Sequence, residues 1–477
     1  MAESFFDYPA VGNYISNRYF QKKLADGKML ITTDHGAWIV LTQEEYGLLR
    51  KGKVEENPDL FNNLLKTGVL VSKDNIQDIS QCFYRRNCQL TNGVNLHILT
   101  PTLRCNHSCI YCHAKSVPLD TQGHDMDEDT AKKIVDFIFQ SPAKKITIEF
   151  QGGEPLANFP IVEYVIEYAK EKNKTAHKDI AYLIVSNLTM MDETILKYLI
   201  KNKVQLCSSL DGPKKVHDRN RYYCDNKGSY NDVVHWLDII MNDHKYNIHC
   251  LPTITRHSLP YAKEIVDEYV RLGFDRIRMR HLMNSGFANK RWKEIGYTPE
   301  EFLAFWKESV AYCMDITRKG TQFLEGMSVM AARKFLSKDR TAYTCFSSPC
   351  GAGLEQASYN FNGDIYACDE ARSYDVFRLG NVKDKTFKEV YTGQQALTLV
   401  DLSSSLSSHC DFCVWHAYCG NCLVTTYGEQ NNLIPKLPVN NECKIRKGII
   451  EHTFDLLWYD KEARKTLIDW SATEKGV

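Results

Sequence analysis

The chain has 477 residues, in which 59 lysine and arginine side chains balance 59 aspartate and glutamate side chains. This length corresponds to roughly three domains of about 150 residues each. Zero formal charge without a basic run gives no electrostatic basis for binding nucleic acid, and no stretch approaches the about 18 uninterrupted apolar residues of a membrane span. The first residues lack a basic segment followed by an apolar one. We therefore predict a cytoplasmic protein, whose 17 cysteines need an explanation other than disulfides.

Residues 1–89 are predicted to form a small winged-helix-like domain without clustered metal ligands. The pattern indicates a β-hairpin, two short helices and a closing strand. These elements are Lys28–Thr32 with Ala37–Leu41, then Gln43–Leu49, Asp59–Lys66 and Gly68–Val71. The stretch Ser72–Asn92 is the most linker-like part of the chain.

Residues 90–300 alternate short β-type runs with segments of helical periodicity, such as Asp127–Phe139. Six strands are predicted: Asn95–Thr100, Ile146–Phe150, Ile180–Ser186, Val204–Leu210, Ile248–Ile254 and Arg276–Arg280. This alternation is typical of right-handed βαβ units with a parallel sheet, open or curled into part of a barrel. Functional sites on such sheets lie beyond the carboxyl ends of the strands, so the polar motifs that follow these strands are the candidates for chemistry.

Three cysteines, Cys105, Cys109 and Cys112, directly follow the first predicted strand in a CxxxCxxC pattern. Thiolates are soft ligands that select zinc, copper(I) or iron-sulfur clusters. Three thiolates leave one iron of a 4Fe-4S cluster without a protein ligand, which gives an open position for a substrate or cofactor. Structural zinc is the disfavoured alternative, because it takes a fourth ligand and His107 or His113 lies too close for the usual spacing.

This motif, with Tyr111 before its last cysteine, resembles the signature of the radical S-adenosylmethionine (SAM) superfamily. Gln151-Gly152-Gly153-Glu154-Pro155 follows the second strand and resembles the GGE motif of that family. The resemblance implies that Gly152 and Gly153 let the backbone approach SAM and that Glu154 binds the ammonium group of its methionine part. Asn187 stands where the family has Thr-Asn-Gly, with Leu188 in place of the glycine.

Two further SAM contacts are implied by likeness to the sulfatase-maturing enzymes of this superfamily. Ser209 ends the fourth strand and is expected to contact the ribose, and Arg221 is expected to pair with the methionine carboxylate. Asp211, in the same Ser-Leu-Asp-Gly-Pro motif, is interpreted either as a turn residue or as a functional one.

Eight further cysteines lie between positions 345 and 443 and resemble the SPASM domain of peptide-modifying radical SAM enzymes. The resemblance implies two auxiliary 4Fe-4S clusters, which at four thiolates each require eight cysteines. By the family's crossed connectivity, one cluster is expected on Cys345, Cys350, Cys368 and Cys422, and the other on Cys410, Cys413, Cys419 and Cys443. A zinc ribbon built from residues 410–422 is the alternative. The remaining six cysteines are interpreted as small buried hydrophobic residues: Cys82, Cys88, Cys207, Cys224, Cys250 and Cys313.

The overall pattern is most similar to the radical SAM maturases of the His-Xaa-Ser peptide system. That likeness implies a partial (β/α)6 barrel at 90–300, a bridging region at 301–344, a SPASM domain at 345–445 and a helical segment at 446–477. It also implies three 4Fe-4S clusters, SAM, a flavodoxin- or ferredoxin-type reductant, and a ribosomal precursor peptide whose leader is held by the N-terminal domain. Neither nucleic acid nor a membrane is an expected partner.

The implied reaction begins with a 5′-deoxyadenosyl radical that abstracts hydrogen from the peptide, which is then oxidised and crosslinked. Asp369 matches the base of the sulfatase-maturing enzymes, and a neighbouring anionic cluster is expected to raise its pKa; support of that cluster is the alternative role. Two other functions remain open: a sulfatase-type maturase that forms formylglycine from Ser or Cys, and a non-catalytic iron-sulfur carrier or sensor.

Overall fold

The computed structural model describes residues 13–340, 344–404, 409–434, 436 and 439–473. The first seven residues, on which the prediction of a cytoplasmic location depends, lie outside the described residues. Within the described residues, no helix combines the length and the apolar run that a membrane crossing requires.

The N-terminal unit, residues 13–92, contains a three-stranded antiparallel sheet in the order β2-β3-β4 and a separate antiparallel pair, β1 with β5. Its elements are β1 Tyr14–Ser16, β2 Tyr19–Lys23, β3 Met29–Thr33, β4 Trp38–Leu41, α1 Gln43–Lys51, α2 Pro58–Lys66, β5 Leu70–Ser72, α3 Ile76–Arg86 and α4 Gln89–Asn92. The predicted hairpin and both helices are present. Thr42 and Glu45 form a reciprocal capping box that starts α1.

The linker prediction is wrong, because most of residues 72–92 is helical. Arg86 at the end of α3 donates to the carbonyls of Lys334 and Ser337 at 2.6 and 2.9 Å. These bonds attach the segment to the rest of the molecule. Alternate residues of β3 serve two cores, because Ile31 faces the small core of the N-terminal unit and Leu30 faces the main core.

The middle of the chain forms an α/β sheet in which β6 to β10 run parallel in the order β10-β9-β8-β7-β6. Its strands are β6 Leu96–Leu99, β7 Lys145–Phe150, β8 Asp179–Val185, β9 Gln205–Ser209, β10 Ile248–Leu251, β11 Thr253–Ile254, β12 Arg276–Ile277, β13 Arg280–His281 and β14 Leu324–Glu325. Its helices are α5 Glu128–Ile138, α6 Phe159–Ala176, α7 Glu193–Lys201, α8 Lys214–Asn220, α9 Tyr230–Asp238, α10 Ala262–Arg271, α11 Gly286–Lys290, α12 Trp292–Ile295, α13 Pro299–Arg318 and α14 Gly326–Leu336.

The last two predicted strands are each divided in two. Pro252, which has no N–H to donate, separates β10 from β11. The divided pieces pair in parallel with new partners, β11 with β13 and β12 with β14. The predicted mixed α/β fold with a parallel-rich sheet is confirmed.

The cysteine-rich part of the chain continues the same sheet. Strand β15 pairs in parallel with β6, and β16 and β17 follow it antiparallel, which gives eight strands in all. The elements are β15 Gln356–Tyr359, β16 Asp364–Tyr366, β17 Arg378–Asn381, α15 Phe387–Tyr391, α16 Gln394–Ser403, α17 Leu423–Gln430, α18 Asn441–Tyr459 and α19 Lys461–Thr473. This pairing covers the β6 edge and brings the two cysteine-bearing regions together.

Candidate functional site

The three cysteines of the CxxxCxxC motif lie on the signature loop, residues 100–117, which follows β6. The N–H of Cys105 donates to the carbonyl of Val117 at 2.8 Å, and the N–H of Ile110 donates to the carbonyl of Asn220 at 3.0 Å. Gly286 packs so closely here that a Cβ on it would lie 2.5 Å from the carbonyl oxygen of Cys112. These contacts fix the loop at the carboxyl edge of the parallel sheet.

The donor set on this loop fits an iron-sulfur cluster. Burial raises the pKa of Cys105, and the charge of Cys109 raises it further. Burial likewise raises the pKa of Cys109 to about 11. Buried thiols that repel one another as thiolates are stabilised by cationic iron, and three of them leave one iron of a 4Fe-4S cluster open.

Gly152 and Gly153 contact the signature loop rather than open space. A Cβ on Gly152 would lie 2.5 Å from the carbonyl oxygen of Thr102, and one on Gly153 would lie 2.3 Å from that of Arg104. The N–H of Gly153 donates to Thr102 at 2.9 Å. Both glycines therefore allow close packing against the loop that carries Cys105, and the approach of their backbone to SAM stays a prediction.

Glu154 is buried at the carboxyl end of β7 with a relative exposure of 1%. Its carboxylate accepts from the hydroxyl of Ser186 at 2.8 Å, the N–H of Asn187 at 2.7 Å and the N–H of Leu156 at 3.1 Å. Burial raises its pKa to about 7, against the opposing effect of these hydrogen bonds. The side chain is thus held in one position and suited to pairing with an ammonium group.

Asn187 joins the end of β8 to the signature loop. Its amide nitrogen donates to the side-chain oxygen of Asn106 at 2.8 Å and lies 3.8 Å from Sγ of Cys105. The next residue, Leu188, has a φ of +66° and is 1% exposed. A leucine in this left-handed conformation costs about 1–2 kcal/mol, which explains why the family's glycine suits this position.

Tyr111, Asp211 and Arg221 form a buried polar group beside the cysteines. The Tyr111 hydroxyl lies 2.8 and 2.9 Å from the two carboxylate oxygens of Asp211 and accepts from the Arg221 guanidinium at 2.9 Å. Asp211 also accepts from Asn220 at 3.0 Å and is fully buried, which raises its pKa. Asp211 therefore does more than form a turn. Its contact with Tyr111 positions Arg221, the residue predicted to bind the SAM carboxylate.

Ser209, the predicted ribose contact, lies half-buried at the end of β9.

Asp369 contacts the signature loop through His113, the residue after Cys112. Its Oδ2 lies 2.5 Å from Nε2 of His113, and its Oδ1 accepts from Arg372 at 2.6 and 3.0 Å. Burial would raise the pKa of Asp369, but the charges of Arg372 and His113 outweigh it and hold the pKa well below its usual range. The rise in pKa expected from a bound neighbouring cluster stays a prediction.

Cys345, Cys350, Cys368 and Cys422 form the first cysteine set. Burial raises the pKa of Cys368, and neighbouring charges, among them those of Cys350 and Cys422, raise it further. Burial also raises the pKa of Cys345, and the charges of Cys350 and Cys422 add to this rise. The four thiols thus lie near enough to raise one another's pKa, and their binding of a single cluster stays a prediction.

Cys410, Cys413, Cys419 and Cys443 form the second cysteine set. Burial raises the pKa of Cys419 to about 12 and that of Cys443 to about 11, and in both cases Cys410 and Cys413 contribute. Each set supplies four thiols, the number that one 4Fe-4S cluster binds. In the described residues no group of three or more His, Cys, Asp and Glu is arranged to hold a metal ion, so the cluster ligand sets and the zinc alternatives both stay predictions.

The interpretation of the six remaining cysteines is wrong for one of them. Cys250 and Cys313 are buried, and Cys82, Cys88 and Cys207 are partly buried, but Cys224 is exposed. Its thiol lies 3.7 Å from the carbonyl oxygen of Cys105, against the signature loop. Asn220 and Cys224 thus contact this loop, although nothing in the sequence singles them out.

Two protein-family models match this chain, one in its α/β region and one in its cysteine-rich region. The model of the radical SAM superfamily matches residues 99–264, and that of SPASM, an iron-sulfur cluster-binding domain, matches residues 350–423. The chain contains a radical SAM domain followed by a SPASM domain. It is therefore an oxidoreductase-type enzyme that uses a 4Fe-4S cluster with SAM and binds auxiliary iron-sulfur clusters.

Curated relatives of this radical SAM/SPASM enzyme include proteins with different products. A cysteine-type anaerobic sulfatase-maturating enzyme of Clostridium perfringens is 24% identical over 361 residues, which are 74% of this chain and 94% of the relative. The radical SAM cyclopropyl synthase TigE of Paramaledivibacter caminithermalis is 25% identical over 205 residues, 39% of this chain and 42% of the relative.

Solved structures share the fold of the enzyme. The structure of native anSMEcpe with bound AdoMet matches with a TM-score of 0.65 at 20% identity, over 79% of this chain and 99% of the other. Streptococcus suis SuiB bound to its precursor peptide SuiA matches with a TM-score of 0.54 at 15% identity, over 87% of this chain and 97% of the other.

Proposed function

We propose that this radical SAM/SPASM enzyme oxidatively modifies, and crosslinks, a ribosomally synthesised precursor peptide. The observation that carries the proposal is the N-terminal unit, which has its own hydrophobic core and contacts the cysteine-rich region through Thr32 and Arg18. Its outer strands β2 and β4 each pair with β3, and such edges bind an extended peptide by main-chain pairing. The SuiB structure with a bound precursor peptide supports a peptide as the class of substrate.

Contacts between the N-terminal unit and the catalytic parts suit it to leader binding. The hydroxyl of Thr32 donates to the carbonyl of Val414 at 2.7 Å, and the indole N–H of Trp38 donates to the carbonyl of Phe335 at 3.1 Å. Arg18 pairs with Asp411, which lies between Cys410 and Cys413. A leader held on this unit would be fixed in relation to the second cysteine set.

Residues of the radical SAM domain are proposed to bind SAM as follows. Glu154 takes the ammonium group, Arg221 takes the carboxylate, and Ser209 contacts the ribose, while Asn187 and Tyr111 position this ligand set. When bound to Cys105, Cys109 and Cys112, the cluster supplies with SAM the 5′-deoxyadenosyl radical that abstracts hydrogen. The buried Tyr111–Asp211–Arg221 group keeps the arginine in place before SAM arrives.

The two cysteine sets are proposed to hold one auxiliary 4Fe-4S cluster each, which take up the electron released when the substrate is oxidised. Asp369 is proposed as the base that removes the accompanying proton. Its contacts with Arg372 and His113 hold the carboxylate in a fixed position beside the signature loop. A flavodoxin- or ferredoxin-type protein is proposed as the reductant.

A sulfatase-type maturase is the second candidate, and the match to the Clostridium perfringens enzyme over 74% of this chain favours it. A gene for a short peptide beside that of the enzyme would support the first candidate, and a sulfatase gene there would support the second. An iron-sulfur carrier is a third reading, and it predicts no SAM cleavage.

The deciding experiment incubates the anaerobically reconstituted enzyme with SAM, dithionite and two substrates separately. These are a full-length short peptide whose gene is found beside that of the enzyme and a sulfatase-derived peptide carrying Cys or Ser. We expect the neighbouring-gene peptide to lose hydrogen and to gain a crosslink, which tandem mass spectrometry locates. Formylglycine in the second without change in the first would overturn the proposal, and absence of 5′-deoxyadenosine in both would favour the carrier.

A further inference from the structure

We infer that Arg446 sets the reduction potentials of both auxiliary clusters from one buried position between the two cysteine sets. The inference rests on the cluster ligands proposed above and adds a residue that binds no iron itself. Arg446 is therefore a positioning residue that acts through charge.

One guanidinium group contacts the main chain of both cysteine sets. Arg446 lies on α18, three positions after Cys443, and is 3% exposed. Its Nη1 donates to the carbonyl of Cys345 in the first set and, at 3.0 Å, to the carbonyl of Gly420. Gly420 directly follows Cys419 of the second set, so the two bonds tie Arg446 to a ligand-bearing segment on each side.

The charge of Arg446 reaches thiols in both sets. The Arg446 guanidinium donates to the carbonyl of Cys345 in the first set and to that of Gly420, which follows Cys419 of the second set, so its charge lies beside both ligand-bearing segments. The same charge would favour the reduced, more negative form of a cluster on either set. Since the site is buried, solvent screens this effect weakly.

Glu442 supplies the opposing charge. Its Oε1 accepts from Nε of Arg446 at 2.5 Å, and its Oε2 lies 2.9 Å from Nε2 of His281 on β13. Glu442 is also 3% exposed. Replacing Arg446 would leave this carboxylate facing the clusters, whereas neutralising Glu442 would leave the arginine. The two substitutions should therefore shift cluster potentials in opposite directions.

A second buried cation, Lys334, does not replace this role. It donates to the carbonyl of Phe346 and acts on Cys419 of the second set, and burial lowers its pKa to about 7. Lys334 is therefore only partly charged near neutral pH, whereas Arg446 keeps its full charge there.

The test is a redox titration followed by electron paramagnetic resonance, in a full-length background in which Cys105, Cys109 and Cys112 are Ala. That background leaves only the auxiliary clusters. It is compared with Arg446→Met, Arg446→Lys and Glu442→Gln in the same background, and with surface Arg318→Gln as a matched loss of one positive charge. Iron is counted in every sample.

The expected result is that both midpoints fall in Arg446→Met and rise in Glu442→Gln, each by about tenfold in the reduction equilibrium or about 59 mV. The midpoints should fall less in Arg446→Lys than in Arg446→Met, and they should be unchanged in Arg318→Gln. If Arg446→Met fails to bind iron, the midpoints of Glu442→Gln alone test the inference. Unmoved midpoints, or shifts in the same direction in both variants, would overturn the inference. A background protein without iron would instead refute the proposed ligand sets.

Discussion

His113 and Asp369 are 256 positions apart in the chain, yet Nε2 of His113 lies 2.5 Å from Oδ2 of Asp369. His113 follows Cys112 of the signature loop, and Asp369 follows Cys368 of the first cysteine set. A second link runs parallel to this one, because the Ser373 hydroxyl donates to the His113 carbonyl at 2.7 Å. The SPASM domain therefore contacts the radical SAM loop directly.

The first prediction concerns Asp369. Asp369→Asn should retain SAM cleavage within about twofold and lower product formation about 100-fold, the usual size of a general-base effect. The reason is that the base acts after hydrogen abstraction. Both activities are measured by chromatography of 5′-deoxyadenosine and product in one assay. Equal loss of both would show that Asp369 mainly joins the two loops.

The second prediction concerns pH and Glu154. Because the folded chain raises the pKa of Glu154 to about 7, the carboxylate becomes protonated as the pH falls through 7, and attraction to the SAM ammonium group is lost. SAM affinity should therefore weaken below pH 7, as measured by equilibrium dialysis with labelled SAM. Glu154→Gln should bind weakly with little change between pH 6 and 8. A wild-type affinity that is constant over this range would contradict the assignment.

The third prediction uses the left-handed conformation of Leu188. Leu188→Ala should lower the free energy of unfolding by about 2–5 kcal/mol, because a fully buried side chain is truncated. Leu188→Gly should be at least as stable as Leu188→Ala, although glycine elsewhere costs up to about 1 kcal/mol relative to alanine. Denaturant unfolding under anaerobic conditions compares the pair. A clearly less stable glycine variant would contradict the strain at this position.

The fourth prediction concerns the N-terminal unit. A chain that lacks residues 1–80 should lose affinity for the leader of the precursor peptide, measured by fluorescence anisotropy, because the strand edges of β2 and β4 are removed. Removal also uncovers the partners of Thr32 and Trp38. The control is therefore that the shortened chain still binds iron and cleaves SAM. Unchanged leader affinity in such a chain would assign the unit a purely structural role.

The sequence predicts features that depend on local pattern. The hairpin at residues 29–41 follows from alternation around a glycine turn, and five barrel strands follow from apolar runs between helices. The signature cysteines and Glu154 are found because they stand directly after predicted strands.

Features that depend on long-range contact are not predictable in this way. No local pattern indicates that β15 pairs with β6, or that Tyr111 meets Asp211. Arg446 had one unused signal, a charged residue among Ile445, Ile449 and Ile450 on a buried helix face. The contacts of Asp369 with Arg372 and His113 likewise arise from tertiary structure, and they lower its pKa.

The central claim is that eleven cysteines in three sets hold three 4Fe-4S clusters, and iron content tests it most directly. Anaerobically reconstituted enzyme should contain about twelve iron atoms per chain, and the triple change of Cys105, Cys109 and Cys112 to Ala should leave about eight, at four per cluster. The variant should also lose reductive SAM cleavage. Iron near four per chain with stoichiometric zinc would contradict the account.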